Sequence, residues 1–92
     1  MDQADFEEEM ALIKELQKHN IQTFSRFYKK YSPDMLILAH TILNDAELSA
    51  KAVDSIFEKL WEEKKFSYIQ PPIHTYLYRA VKKVCIDIQM NR

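Results

Sequence analysis

Apolar residues recur at helical spacing through most of the chain. In the last third of the sequence they stand three or four positions apart, as on a helix that buries one face. They are Ile73, Tyr76, Leu77, Ala80, Val81, Val84, Cys85 and Ile88. No stretch of strand length alternates apolar with polar residues, and the chain has no glycine for hairpin turns. The pattern therefore predicts an all-α protein.

The first half of the chain is predicted to form three helices. The first spans about residues 5–18, and Asn20 is a suitable N-cap for the second. We expect the second helix to end or bend at Ser32 and Pro33, because proline suits the first position of a new helix. The third predicted helix then covers residues 33–43, and it is apolar almost all round, as a central helix would be.

The second half is predicted to form two more helices. Either Asn44 or Asp45 can cap the fourth, which has one apolar face and one polar face. Pro71 and Pro72 separate it from a fifth helix that continues to Arg92. Short turns join all five helices, as in a helical bundle.

Length and composition suit one domain with one core. The 92 residues, 47% of them apolar, predict a single helical domain over residues 1–92, a compact bundle of about five helices. The longest apolar run, residues 35–39, is far too short to cross a bilayer, and the acidic amino terminus is unlike a signal peptide. Cys85 has no second cysteine to pair with, which fits a reducing compartment. We therefore expect a soluble, cytoplasmic protein with no membrane insertion.

Charge and aromatic rings adjoin near the start of the fifth predicted helix. The net charge is only −1, yet residues 71–92 carry four bases and one acid. Residues 66–72 read FSYIQPP, and the outward face of the helix then presents Arg79, Lys82 and Lys83. Such surfaces bind single-stranded nucleic acid, because bases stack on rings and phosphates contact cations. The alternative is that the three cations form an ordinary solvated face.

Few residues have the spacing that metal binding or catalysis needs. Glu15 and His19 stand four positions apart, but two such groups at a helix end are more typical of a solvated pair than of a metal site. His40 is expected to be partly buried in the third helix, whereas His74 is either a nucleic-acid contact or an ordinary exposed histidine. A chain without glycine also has no phosphate-cradling loop. We therefore predict no enzyme activity, no metal and no cofactor.

Three segments follow one another in an order and spacing that match a known family. Residues 24–45 read FSRFYKKYSPDMLILAHTILND, an aromatic helix, a proline, an apolar helix and an aspartate. Residues 53–61 read VDSIFEKLW, and residues 76–87 read YLYRAVKKVCID. Together they cover about residues 13–92 and resemble region 2 of the extracytoplasmic-function (ECF) sigma factors of bacterial RNA polymerase.

The resemblance implies two binding partners. In the family, the helix that matches residues 53–61 docks onto the clamp helices of core RNA polymerase. The polymerase-binding residues implied here are Asp54, Ser55, Phe57, Glu58 and Trp61. The loop and final helix of the family capture flipped bases of the minus-ten promoter element and hold the melted non-template strand. The DNA-binding residues implied here are Tyr68, His74, Tyr78, Arg79, Lys82 and Lys83.

The resemblance leaves two questions open. Family members normally carry a second, helix-turn-helix domain, region 4, for the minus-thirty-five element, and this chain stops before one. We expect either an excised fragment or a stand-alone module. The alternative function is a sigma-like interaction bundle that binds polymerase or an anti-sigma factor without reading DNA.

Overall fold

Helices account for all the regular secondary structure of residues 1–91, the residues that the computed structural model describes. The α-helices are α1 (Gln3–Gln17), α2 (Ile21–Leu43), α3 (Ala46–Glu62) and α4 (Ile73–Met90), with a 3₁₀ helix at Lys65–Tyr68. The all-α prediction is confirmed, but the described chain has four α-helices rather than five. Arg92, the predicted end of the last helix, lies outside the described residues.

The missing fifth helix is explained by α2, which continues through Pro33 without a break. The predicted end of a helix at Ser32 and Pro33 is wrong. Proline removes one backbone donor from the helix, yet buried residues before and after it form a single apolar stripe. They include Phe27, Tyr31, Met35, Ala39 and Leu43. Burial of that stripe outweighs the local cost of Pro33, whose own side chain is exposed.

Short polar side chains cap three of the helices. Asn20 Oδ1 accepts hydrogen bonds from the Gln22 and Thr23 amides, as predicted for the start of the second helix. Of the two predicted caps for the next helix, Asp45 is the N-cap of α3 and accepts from the Leu48 amide at 2.9 Å. Asn44 instead ends α2 in the left-handed conformation. Asp2 caps α1 in the same way as Asp45 caps α3.

The start of α4 is capped by a residue from another helix. Pro72 precedes α4 and contributes no side-chain hydrogen bond. Instead, Glu9 of α1 accepts a hydrogen bond from the Ile73 amide, with the oxygen and nitrogen 2.7 Å apart. This contact joins the acidic first helix directly to the helix that carries the predicted DNA-binding residues.

The core lies around α2, which packs against both α3 and α4, while α1 packs on the 3₁₀ helix. Aromatic rings fill its centre: the Phe27 ring lies 5.6 Å from that of Phe57 and 6.4 Å from that of Phe66, both edge to face. Cys85 is fully buried, and burial raises the pKa of its thiol. No helix of the described chain has the length and apolar content needed to cross a membrane.

Two histidines lie in environments that the sequence did not indicate. His19, predicted as half of a solvated pair, is half-buried, and its ring stacks on Trp61 with the centroids 3.6 Å apart. Its Nε2 also lies 2.8 Å from the Trp61 carbonyl oxygen. His40, expected to be partly buried, is exposed. The contacts of His19 with Trp61 therefore attach the turn between α1 and α2 to the end of α3.

Candidate functional site

An exposed ring and an arginine share one groove between the 3₁₀ helix and α4. Phe66 and Ile69 are buried on either side of Tyr68, which turns the Tyr68 ring outward, with 66% of the residue exposed. Arg79 of α4 lines the same groove, whose volume is about 220 Å³. The other lining residues are Gln70, Pro71, Pro72, Thr75 and Tyr76. The structure thus brings together two of the predicted DNA-binding residues that lie eleven positions apart in the sequence.

The predicted DNA-binding residues of α4 do not form a single row. Successive helical residues are 100° apart, so residues four positions apart share a line along the helix. His74, Tyr78 and Lys82 form one line, and Arg79 and Lys83 form the next. The predicted cluster is therefore a broad face of the helix. We call this set, together with Tyr68, the ring and cation surface.

The two lines border different neighbours. His74 Nε2 lies 3.6 Å from an Asp34 carboxylate oxygen of α2, and the His74 ring packs edge to face with Tyr31 at 4.9 Å. Lys83 instead lines a cleft with Lys59 and Lys65 on the side of α3 and the 3₁₀ helix, and the acids Glu63 and Asp87 line the same cleft.

The two predicted tyrosines are not equivalent. Tyr78 is half-buried, and its ring lies 5.8 Å from the His74 ring in an edge-to-face arrangement. Tyr68 has the more exposed ring and is the better platform for a stacked base. Gln70 and Thr75 were missed by sequence reasoning, although both place polar groups along the groove. Thr75 stands four positions before Arg79, a spacing that would have identified it.

The cations of the ring and cation surface are electrostatically available. Among residues 1–91, none of Arg79, Lys82 and Lys83 takes part in a salt bridge, and all three are exposed. A phosphate that meets them does not have to displace an internal carboxylate. The local positive charge of Arg79 and Lys82 can therefore act on an anionic ligand, whereas Lys83 shares its cleft with Glu63 and Asp87.

A second groove lies between α2 and α3, and its rim is acidic. Asp54, Glu58 and Glu62 stand at four-residue intervals along α3, and the groove has a volume of about 270 Å³. Its remaining walls are apolar or aromatic, and they include Ile21, which is 61% exposed. The full lining is Ile21, Phe24, Tyr28, Asp54, Phe57, Glu58, Trp61 and Glu62, and we call it the α2–α3 groove.

Three of the five predicted polymerase-binding residues lie on this groove with accessible groups: Asp54, Glu58 and Trp61. Phe57 also lines the groove, but it is only 2% exposed and packs in the core, so it offers a partner very little surface. Ser55 lies to one side of the groove, half-buried, and its hydroxyl donates to the Ala52 carbonyl at 2.7 Å.

The side chains of the groove are held in position by neighbouring residues. The Tyr28 hydroxyl donates to Asp54 Oδ1 at 3.0 Å. Burial raises the pKa of Tyr28, and the hydrogen bond to Asp54 adds to the effect, so the phenol stays protonated as a donor. Trp61 is held by the His19 ring and by Phe24, whose centroid lies 4.8 Å away. The contributions of Ile21 and Tyr28 were not predicted, because both lie on α2 and the resemblance places the polymerase contacts on residues 53–61.

The described residues contain no group of three or more histidine, cysteine, aspartate or glutamate side chains placed to hold a metal ion. Glu15, predicted as the neighbour of His19, pairs with Lys18 at 2.8 Å instead. No protein-family model, curated protein or solved structure matches this chain.

Proposed function

We propose that this chain is a sigma-factor-like module of transcription initiation, which acts in the bacterial cytoplasm. In this proposal it binds core RNA polymerase and holds the melted non-template strand of the minus-ten promoter element. The observation that carries the proposal is the groove in which the exposed Tyr68 ring and the unpaired Arg79 guanidinium lie together. The resemblance of three segments, in order, to ECF region 2 supports it.

The ring and cation surface has the chemistry that single-stranded DNA requires. A base stacked on an aromatic ring gains about 1–3 kcal/mol, and Tyr68 offers such a ring. If Arg79, Lys82 and Lys83 each neutralise one phosphate, the logarithm of the affinity falls with the logarithm of salt with a slope of about −2. Binding would then weaken by roughly tenfold to twentyfold between 50 and 200 mM salt. The isolated module would bind DNA weakly, and polymerase would supply further contacts.

The α2–α3 groove supports the second half of the proposal. Its acidic rim and apolar floor complement a basic amphipathic helix, and we assign the clamp helices of polymerase to it. The groove shares no lining residue with the ring and cation surface. One partner can therefore occupy each surface at the same time.

Fluorescence anisotropy with labelled single-stranded minus-ten-like oligonucleotides at low salt tests DNA recognition. We expect sequence-dependent binding that Tyr68→Ala and Arg79→Ala each weaken by roughly tenfold, the effect of losing about 1.4 kcal/mol. Lys51→Ala is the matched control, because Lys51 is an exposed cation on α3 that pairs with Glu47. Equal losses of DNA affinity for Arg79→Ala and Lys51→Ala would refute DNA binding at this groove.

Polymerase docking is tested with a reversal of charge. Asp54→Arg combined with Glu58→Arg should abolish pull-down of the clamp helices. Glu7→Arg combined with Glu8→Arg makes the same charge change on exposed positions of α1 and should leave it intact. Unchanged binding by the first pair would refute docking at this groove.

The α2–α3 groove also favours one alternative, an interaction bundle that binds polymerase or an anti-sigma factor without reading DNA. It predicts firm binding of clamp helices together with no sequence-dependent binding of any oligonucleotide. The two experiments therefore separate the functions.

A further inference from the structure

The junction of α1, α2 and α4 contains a hydrogen-bonding group that its present neighbours leave unused. Tyr31 is 1% exposed, and its hydroxyl has no hydrogen-bond partner among residues 1–91. Burial, followed by the charge of Glu9, raises the pKa of Tyr31 to about 12, so the phenol is protonated and available as a donor. The Tyr31 ring also packs edge to face against His74, the second residue of α4, with the ring centroids 4.9 Å apart.

The same junction contains the amino terminus of α4. The Ile73 amide there is engaged by Glu9 Oε1 at 2.7 Å. Lys30 of α2 adds positive charge, since its Nζ lies 5.5 Å from the centre of the Tyr31 ring. One acid opposes it: Asp34, half-exposed, is placed against His74. A helix amide bonded to a carboxylate, a buried phenol and an ammonium group thus lie at one junction.

We propose that this junction is a phosphate-binding site, which the Glu9 carboxylate occupies as an internal ligand until a DNA backbone phosphate displaces it. The proposal rests on the proposed function. A carboxylate that satisfies Ile73 leaves the Tyr31 hydroxyl unpaired, whereas the oxygens of a tetrahedral phosphate point in several directions and can accept from both groups. The buried donor is the independent observation that separates this site from an ordinary helix terminus.

The site is placed to receive the strand that the ring and cation surface would hold. The groove of Tyr68 and Arg79 is also lined by Pro71, Pro72 and Thr75. In the chain, Ile73 lies between Pro72 and Thr75. A nucleotide stacked on Tyr68 therefore has its neighbouring phosphate near the start of α4.

Glu9 can leave the site without unfolding α1. Residues 1–8 are exposed, Glu9 itself is half-exposed, and the anchors of the helix are Ile13 and Leu16 farther along. Rotation of one side chain is enough to release the Ile73 amide. Glu9 then acts as a competitor that weakens DNA binding until a phosphate replaces it.

The test compares Glu9→Ala with Glu8→Ala in the full chain. Both remove one carboxylate from α1 and introduce a good helix former, but Glu8 is exposed and makes no contact with Ile73. We expect Glu9→Ala to raise the affinity for single-stranded DNA roughly tenfold over Glu8→Ala, as for the gain of one charge-assisted hydrogen bond. Adding Tyr31→Phe should remove the gain. Glu9→Gln, which keeps a hydrogen-bond acceptor, guards against loss of folding in Glu9→Ala.

Inorganic phosphate gives a second readout that does not depend on DNA recognition. In Glu9→Ala, phosphate should shift the Ile73 amide resonance in a ¹H–¹⁵N spectrum at concentrations roughly tenfold below those that Glu8→Ala needs, because Glu8→Ala keeps the competing Glu9 carboxylate. If neither phosphate nor DNA distinguishes the two variants, or if Glu9→Ala binds DNA more weakly, Glu9 is only a helix cap and the site is refuted. If phosphate binds at Ile73 but no variant binds DNA, the site stands as a free-phosphate site, and the proposed function and the DNA ligand fail.

Discussion

Tyr31 is buried at a stability cost that a phenylalanine would avoid. Its hydroxyl is desolvated yet unpaired within the described chain, and a buried unpaired polar group costs about 1–3 kcal/mol. We expect Tyr31→Phe to raise the free energy of unfolding at pH 7 by about 1 kcal/mol, measured by urea denaturation. A loss of stability would show that the hydroxyl is hydrogen-bonded in solution.

The same residue predicts a pH dependence of stability. The pKa of Tyr31 is raised from 10.0 to about 12, so folding favours the neutral phenol. Its contribution is fully present below pH 10 and is lost as the pH rises to about 12, because the unfolded chain releases the proton first. Wild type should therefore lose about 2–3 kcal/mol more than Tyr31→Phe over this range in urea titrations. Parallel pH profiles for the two proteins would contradict the assignment.

The sequence identified residue types more reliably than residue environments. Tyr68 and Arg79 were both predicted to bind DNA, and in the structure they line the same groove. Phe57 was predicted as a polymerase contact although it also belongs to an apolar stripe. In the structure it is almost completely buried in the core. Spacing along a helix gives the direction of a side chain, but how much of it stays exposed depends on which neighbour covers that direction.

At the scale of elements, a substitution of Pro33 tests whether tertiary packing stabilises α2 against the low helix propensity of proline. A proline inside a helix is about 3 kcal/mol less favourable than alanine, partly because one hydrogen bond is lost. Pro33 is exposed and adds little to the core. We expect Pro33→Ala to raise the free energy of unfolding by about 2 kcal/mol, after allowance for the stiffness that proline gives the unfolded chain. A decrease in stability would mean that the proline shapes α2 in a way the core requires.

The turn between α1 and α2 depends on one histidine. His19→Ala removes the stack on Trp61 and the contact with its carbonyl, and should lower the free energy of unfolding by about 1–2 kcal/mol. His40→Ala is the matched control, because His40 is exposed on α2 and should change stability by less than about 0.5 kcal/mol. Equal effects of the two substitutions, measured by urea denaturation, would contradict a fastening role for His19.

Local elements were predictable, whereas contacts between distant elements were not. Helical content and the Asn20 cap follow from short-range patterns that the sequence displays directly. The continuity of α2 does not, because it depends on the helices that cover its stripe on both sides of Pro33. The bond from Glu9 to Ile73 joins residues 64 positions apart, and no spacing rule connects them.

At the scale of the whole molecule, four α-helices present two surfaces of different chemistry. The ring and cation surface lies on the 3₁₀ helix and α4, and the α2–α3 groove has an acidic rim on α3. The near-zero net charge of the chain hides this separation. A module that joins a basic protein helix to an anionic strand needs both surfaces at once, which is why the proposal assigns one partner to each.

Chemical-shift mapping of the ¹⁵N-labelled chain, first with a minus-ten-like single strand and then with a clamp-helix peptide, tests this assignment most directly. We expect the strand to shift amides around Tyr68 and Arg79, and the peptide to shift amides around Asp54 and Glu58, with both sets present when the two ligands are added together. Shifts from both ligands at one surface, or no shifts near Tyr68 and Arg79 with any strand at low salt, would contradict the account.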